Sequence, residues 1–295
     1  MQKITFFRSP APDGTEAATD YLSEIADSLD LTNQLAGINL ESLMRDCVEY
    51  NLQLLKDTQG KGYDIILKDT GYLTGEWCGF TTARAYLNGG LPSNLKGFFE
   101  GVGGINCFVS YKDDAGKPLR MFYNGSPIIL KEIHERMDCL RLEFSVQDVL
   151  DGNRSPMAGD IVLLDWHNDN NADHIQMVYS YNQENKNLVV IEGNGTSFVN
   201  TDQVMPPDTA TKSDGLSQED RLQIVQTEMG DTNWNRPAYG GTWIGLTAYN
   251  INEALANQTG SGVRCRIVKF VRPSAMDFLT LKNVIYDSPY HIYNK

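Results

Sequence analysis

Three apolar segments joined by short polar turns restrict the fold of this chain more than any other feature of its sequence. These segments are IVLL (161–164), HIQMVYSY (174–181) and LVVIE (188–192). Strands joined by short turns pair antiparallel, because a parallel pair needs a crossover connection of a dozen or more residues. TWIGLTAY (242–249) and VRCRIVKFV (263–271) predict two more strands around a short helix at 251–257. The second half of the chain therefore predicts an antiparallel sheet.

The first part of the chain has helical periodicity instead. Between 19 and 58, apolar residues recur every three or four positions in two stripes, and Asn39 is the expected N-cap of the second helix. Cys47 lies on the second stripe and is expected in the core. A further helix is expected over 78–87, closed by the glycines at 89–90. Helices followed by antiparallel strands are typical of the α+β class.

Two segments fit neither pattern. Residues 91–155 contain a glycine-rich stretch, an expected hairpin with its turn near Asp114–Gly116, a strand at 139–144 and a short helix after Ser145. Residues 196–240 are polar and rich in Pro, Gly and Asp. We expect a long loop there, near a site or a partner.

Charge and composition exclude several classes of protein. The formal net charge is −13, which disfavours nucleic acid as a partner because phosphates bind basic surfaces. No apolar run approaches the roughly 20 residues that cross a bilayer, so no membrane span is expected. The N-terminus lacks the apolar region of a secretory signal, which predicts a cytoplasmic protein without a classical leader. The five cysteines form no CxxC motif and are expected as reduced thiols.

Cys78 is the cysteine best placed for nucleophilic chemistry. It follows a glycine-bearing loop and begins an expected helix, in LTGEWCGFTTARAYLNGG (73–90). A helix N-terminus stabilises a thiolate through its N–H groups and its dipole, and a nearby imidazole adds to this effect. A buried packing thiol at the start of a helix is the alternative.

Among the four histidines, His174 is the strongest candidate for a general base, because a strand start holds its side chain rigidly at a sheet edge. His167, in the preceding loop, is the second candidate. The following strand ends in VVIEGNG, and short-turn pairing brings Glu192 and Asn194 beside His174. Either residue could orient the imidazole. The alternatives are a histidine bonded to backbone, a solvated carboxylate and a turn asparagine.

The stretch DWHNDNNADH (165–174) contains four potential metal ligands, which are His167, Asp169, Asp173 and His174. Asn-rich segments of this kind are typical of turns, and no second cluster accompanies them, so no metal or cofactor is expected. The glycines at 101–104 lack the Lys-Ser/Thr that follows a phosphate-binding loop.

Four motifs in order, GEWCGF, SPMAGDIVLL, DHIQMV and VVIEGN, resemble the CHAP family of cysteine amidases and peptidases. The resemblance implies a papain-like fold, in which a helix carries the cysteine and a sheet carries the other groups. It implies Cys78 as nucleophile, His174 as base, Glu192 as orienting acid and Asn194 as helper. The related NlpC-type peptidases place the third polar residue nearer the histidine, so the Glu-x-Asn spacing fits CHAP better.

The resemblance covers roughly 65–200 and, weakly, 240–272, and the sequence departs from the family in three ways. The separation between Cys78 and His174 exceeds the compact form of the family, the stretch before Cys78 lacks an acidic calcium loop, and the N-terminal helices have no counterpart. We therefore expect no calcium. The expected domain organisation is a helical segment 1–60, a papain-like domain 61–275 with an insertion at 91–155, and a tail 276–295.

The resemblance implies hydrolysis of amide bonds in peptidoglycan peptides, as endopeptidase or amidase. Trp77 is a candidate for contact with the substrate, with packing beside the helix start as the alternative. The expected setting is an antibacterial effector delivered to the cell wall or periplasm of a target cell, or a phage lysis enzyme. An inhibitor protein that spares the producer is an expected partner. A non-catalytic binding module on the same fold and a cysteine protease acting on a protein are the alternatives.

Overall fold

The structure is a computed structural model, and it describes residues 39–70, 77–89, 120–123, 126–128, 142–165, 172, 174–195, 197–200, 214–235, 243–256, 266–273 and 284–287. Its helices are α1 (Leu40–Thr58), α2 (Tyr63–Thr70), α3 (Cys78–Asn88), α4 (Val146–Leu150), α5 (Gln218–Met229) and α6 (Glu253–Ala256). Its strands are β1 (Arg120–Tyr123), β2 (Ser126–Ile128), β3 (Leu142–Phe144), β4 (Ile161–Asp165), β5 (His174–Asn182), β6 (Asn187–Gly193), β7 (Val199–Asn200), β8 (Trp234–Asn235), β9 (Ile244–Asn250), β10 (Arg266–Arg272) and β11 (Val284–Asp287).

A six-stranded sheet forms the centre of the described fold, in the order β3-β10-β4-β5-β6-β9. Every neighbouring pair in it is antiparallel. This confirms the α+β class and the antiparallel sheet that the short turns predict. The pairing of β5 with β6 sets Met177 opposite Ile191, and the pairing of β4 with β5 sets Leu164 opposite His174.

The sheet buries both of its faces, because successive side chains of a strand point in opposite directions. Ile161 and Leu163 of β4 belong to the cluster that includes α1, α2, α3 and Val225 of α5. Val162 and Leu164 belong to a second cluster with the short helices α4 and α6. Strands buried on both faces read as continuous apolar runs, which explains the IVLL segment.

Helix α1 begins and ends where its sequence predicts. The side chain of Asn39 accepts a hydrogen bond from the N–H of Ser42 at 3.0 Å, and Gln59 closes the helix in the left-handed conformation. Cys47 is fully buried in the core, as expected. The amide of Asn51 donates to the carbonyl of Thr81 at 2.5 Å and joins α1 to α3. The stripe expected before residue 39 lies outside the described residues.

The turn before β4 is fixed by Asp160, the last residue of the SPMAGD motif. Its carboxylate accepts hydrogen bonds from the N–H of Met157 at 2.9 Å and from the guanidinium of Arg272 on β10 at 2.8 Å. Gly159 has a φ of +90°, and a side chain there would meet the backbone of Met44 in α1. The motif therefore positions β4 against both β10 and α1.

The segment 196–240 differs from the long loop that its composition predicts. Its described part contains helix α5 and the paired strands β7 and β8. Ser217 and Asp220 form a capping box that starts α5. The helix buries only Arg221 and Val225, so it has no apolar stripe that periodicity could detect. Helix α2 is likewise absent from the sequence prediction.

The segments expected as an insertion and as a tail both contribute strands. Within 91–155, β3 adds to the main sheet beside β10, and β1 pairs with β2 and with β11. Strand β11 falls in 276–295, which was expected to be a tail. The first strand of the hairpin expected around Asp114–Gly116 lies outside the described residues. None of the described helices has both the length and the apolar composition needed to cross a membrane.

Candidate active site

Cys78 is the first residue of α3, as the sequence predicts. The N-cap residue Trp77 makes no side-chain capping hydrogen bond, and the first turn contains no acidic residue. The N–H of Thr81 donates to the carbonyl of Trp77 at 3.0 Å, so the amides of Cys78 and Gly79 precede this first helical hydrogen bond. The positive end of the helix dipole therefore lies at Cys78 with no carboxylate of its own turn to neutralise it.

Gly193, the last residue of β6, allows the start of α3 to approach the sheet. A side chain at this position would meet the hydroxyl of Thr81 and the ring of Trp77. The close approach places the first turn of α3 against the end of β6.

Trp77 packs within the core. It is 3% exposed, and its ring meets that of Tyr63 edge to face at 5.3 Å between centroids. Its neighbours also include Gly193 of the sheet. These contacts favour the packing alternative over the predicted contact with substrate.

His174 connects Cys78 with Glu192. Its Nε2 lies 2.7 Å from Oε2 of Glu192, and the Cys78 side chain is near enough to the ring to raise its pKa. The three residues are 4%, 5% and 1% exposed in chain order. Sulfur, imidazole and carboxylate are thus buried together, and the imidazole is hydrogen-bonded to the carboxylate.

The charges beside His174 favour its protonated form. Burial by itself lowers the pKa of an imidazole, since it disfavours the cation. The hydrogen bonds and negative charges of Cys78 and Glu192 outweigh burial and raise the pKa of His174 to about 10. His174 is therefore an imidazolium at neutral pH. In general, a cation beside a sulfur favours the nucleophilic thiolate.

Asn194, the predicted helper, lies just beyond the strand. Strand β6 ends at Gly193, and Asn194 follows with a φ of 58°. Its backbone N–H donates to the carbonyl of Trp243 at 3.3 Å. The strand alternation that would place its side chain on the face of Glu192 stops one residue earlier, and the helper role stays a prediction.

Two further residues belong to the site and were not predicted. Gln176 donates from Nε2 to Oε2 of Glu192 at 2.5 Å and to the hydroxyl of Tyr249 at 3.0 Å. Gly195 lies against the Glu192 carboxylate, and a Cβ there would collide with it. The sequence signal for Gln176 is a polar residue inside an apolar strand, two positions after His174 and so on the same face.

The described residues include no group of three or more His, Cys, Asp and Glu side chains arranged to hold a metal ion. Among the four potential ligands of the DWHNDNNADH stretch, His174 is described. His167, Asp169 and Asp173 lie outside the described residues, as does the glycine-rich stretch at 101–104. The predicted absence of a metal therefore stays a prediction.

We expect His174 to keep its proton far above the pH at which an ordinary histidine loses it, about 6.5. With a pKa of about 10, the imidazolium persists through neutral pH and is lost as the pH rises through about 10. Nitrogen NMR of histidine-labelled protein measures this titration, and His174→Gln identifies the signal. Glu192→Gln should move the midpoint to lower pH, because it removes the charge at Nε2. A wild-type signal that titrates near pH 6.5 would contradict this arrangement.

The arrangement is suited to nucleophilic catalysis by a thiolate. The sulfur has a proton donor on one side, the donor has an orienting carboxylate behind it, and backbone amides of α3 lie at the same end of the helix. Comparisons of the chain with protein-family models, with curated proteins and with solved structures found no match.

Proposed function

We propose that this chain is a papain-like cysteine hydrolase that cleaves amide bonds in peptidoglycan, as an endopeptidase or an amidase. The observation that carries the proposal is the buried group of Cys78, His174 and Glu192, in which His174 is hydrogen-bonded to Glu192 and Cys78 lies near enough to raise the pKa of His174. Acyl transfer from an amide requires a nucleophile, a base that activates it and an acid that orients the base. A helix-borne cysteine beside an antiparallel sheet also agrees with the papain-like arrangement.

In the proposed reaction, the Cys78 thiolate attacks the carbonyl carbon of the amide. The carbonyl oxygen becomes an oxyanion, which the amides at the start of α3 stabilise by hydrogen bonds. The imidazolium of His174 gives a proton to the leaving nitrogen, and the C–N bond breaks to leave a thioester. Neutral His174 then takes a proton from water, the hydroxide attacks the thioester, and the acid product leaves with the thiolate restored.

The substrate class rests on the order of four motifs around these residues. The Trp-Cys step, the Pro-x-x-Gly-Asp turn, the histidine at a strand start and the Glu-x-Asn sequence occur as they do in CHAP amidases and peptidases. The turn residue Asp160 and the site residues Cys78, His174 and Glu192 all have defined contacts in the fold. We propose action at the wall of a target cell, with an inhibitor protein that blocks the site in the producer.

Digestion of purified peptidoglycan tests substrate and bond together. The full chain is incubated with intact sacculi, and the released fragments are identified by mass spectrometry. An endopeptidase yields a new amine and a new carboxylate within the peptide, whereas an amidase separates the peptide from the sugar. Sacculi that release nothing beyond a heat-unfolded control would refute peptidoglycan as the substrate.

A non-catalytic binding module on the same fold is the second candidate. The observation that favours it is the low exposure of Cys78 and His174, 4% and 5%. A binding module would retain sacculi in a pull-down assay and would release no fragments. It would also keep this binding when the sulfur is removed.

A further inference from the structure

Gln176 is a fully buried amide on the sheet face that carries the site. Because Met177 pairs with Ile191 in the antiparallel ladder, Gln176 stands directly opposite Glu192 on the neighbouring strand. His174 is two residues earlier on the same strand and shares that face. The three side chains thus meet on adjacent positions of β5 and β6, with no room for solvent around Gln176.

The carboxylate of Glu192 receives its described hydrogen bonds on one oxygen. Oε2 accepts from Nε2 of His174 at 2.7 Å and from Nε2 of Gln176 at 2.5 Å. Oε1 is buried and has no hydrogen-bond partner in the described part of the chain. A buried carboxylate needs donors to remain charged and fixed, so Gln176 is the support that remains when the histidine bond is set aside.

The orientation of the Gln176 amide is itself determined by its neighbours. Its Nε2 also donates to the hydroxyl of Tyr249 on β9 at 3.0 Å. The ring of Tyr249 lies under the guanidinium of Arg221, 5.3 Å from its centroid. A flipped amide would point its oxygen at the Glu192 carboxylate, which cannot donate to it, and would lose that bond. The NH₂ group is therefore fixed toward Glu192.

We propose that Gln176 is a positioning residue for the reaction described above. It holds Oε2 of Glu192 against His174, and through that contact it fixes the position of the imidazole on which the reactivity of Cys78 depends. The inference rests on the proposed function and adds to it a fourth residue that acts through Glu192 without touching the substrate.

Alkylation of Cys78 by iodoacetamide tests this positioning without any substrate. The thiolate forms a sulfur–carbon bond and iodide leaves, so the rate follows the thiolate fraction. Mass spectrometry of the Cys78-bearing peptide separates this residue from the other four of the five cysteines. Gln176→Met keeps the length of the side chain and removes the donor. We expect the pH at which the alkylation rate of Cys78 rises to increase by about one unit. We also expect the rate of hydrolysis to fall about tenfold through kcat, with KM unchanged.

Two variants on the same face complete the experiment. Thr247→Val is the matched control, because Thr247 is equally buried and its hydroxyl has no partner among the described residues. It should leave the profile unchanged. Tyr249→Phe removes the second acceptor of Gln176 while keeping the ring, and should shift the profile in the same direction by less. Circular dichroism shows whether Gln176→Met folds. If it does not, the alkylation profile of Tyr249→Phe decides the test instead.

The outcomes separate the two proposals. A folded Gln176→Met with the wild-type alkylation profile overturns the positioning role, as does an unshifted Tyr249→Phe if the first variant is unfolded. An equal shift in Thr247→Val also overturns it, since any disturbance of the face would then suffice. A wild-type chain that releases nothing from peptidoglycan refutes the proposed substrate, while a shifted profile in Gln176→Met still supports the positioning of Glu192.

Discussion

Cys78→Ala should abolish the release of fragments from peptidoglycan while leaving the fold intact. The substitution removes the sulfur that forms the thioester, and the rate should fall by about four orders of magnitude or more. The side chain is small and lies at the first position of α3, so alanine costs little helix stability. Mass spectrometry of digested sacculi measures the loss, and circular dichroism with thermal unfolding confirms that the variant is folded.

Cys47→Ala is the matched control for this experiment. Cys47 is also a buried free cysteine, and burial, assisted by the charge of Asp46, raises its pKa to about 12. A thiol that stays protonated is inert, so the variant should retain activity and lose about 1–2 kcal/mol of stability through the cavity it leaves. If Cys78→Ala released fragments at the wild-type rate, the proposed cysteine hydrolase would be refuted. If the wild type and Cys78→Ala both bound sacculi and neither released fragments, the chain would be a binding module.

Asp214→Asn should destabilise the fold by about 3–5 kcal/mol, because it leaves a buried guanidinium without its anion. Arg221 is fully buried, and both of its terminal nitrogens bond to the Asp214 carboxylate. The same carboxylate accepts from the backbone of Asn250 at 3.1 Å and so joins α5 to the edge strand β9. Urea unfolding followed by tryptophan fluorescence measures the difference in the free energy of unfolding.

Glu143→Gln provides the comparison for that measurement. Glu143 pairs with Lys269 at 2.6 Å, but their side chains are 43% and 35% exposed. Water screens an exposed pair, so its loss should cost less than about 1 kcal/mol. Equal effects from the two substitutions would show that burial of the Asp214–Arg221 pair does not determine its contribution.

Strands β4 and β6 could be predicted from sequence, because their burial on both faces produces continuous apolar runs. Helix α1 could be predicted from its stripe and from the Asn39 cap. Helix α5 could not, because its sequence QEDRLQIVQTEM buries a charged residue, Arg221, in place of an apolar one. Its detectable signal is the capping box at Ser217, which depends on two side chains and not on periodicity.

The candidate site could be predicted where local geometry determines it. A helix start, a strand start and strand alternation are local properties, and they were enough for Cys78, His174 and Glu192. The contacts of Gln176 with Glu192 and with Tyr249 depend on the register of three strands, which no single segment encodes. The φ of Asn194 depends on where β6 ends, and strand ends are set by the neighbouring strand β9 as much as by the sequence itself.

The two halves of the candidate site differ in how much of the chain must be assembled to form them. His174 and Glu192 lie on one hairpin with a short turn, so their contact involves a loop of small closure entropy. The sulfur arrives from α3, far earlier in the chain, only when that helix docks through Gly193. Contacts of large sequence separation form late in folding. The grouping of sulfur, imidazole and carboxylate is therefore a property of the finished molecule, and a partly folded chain carries the same residues without that grouping.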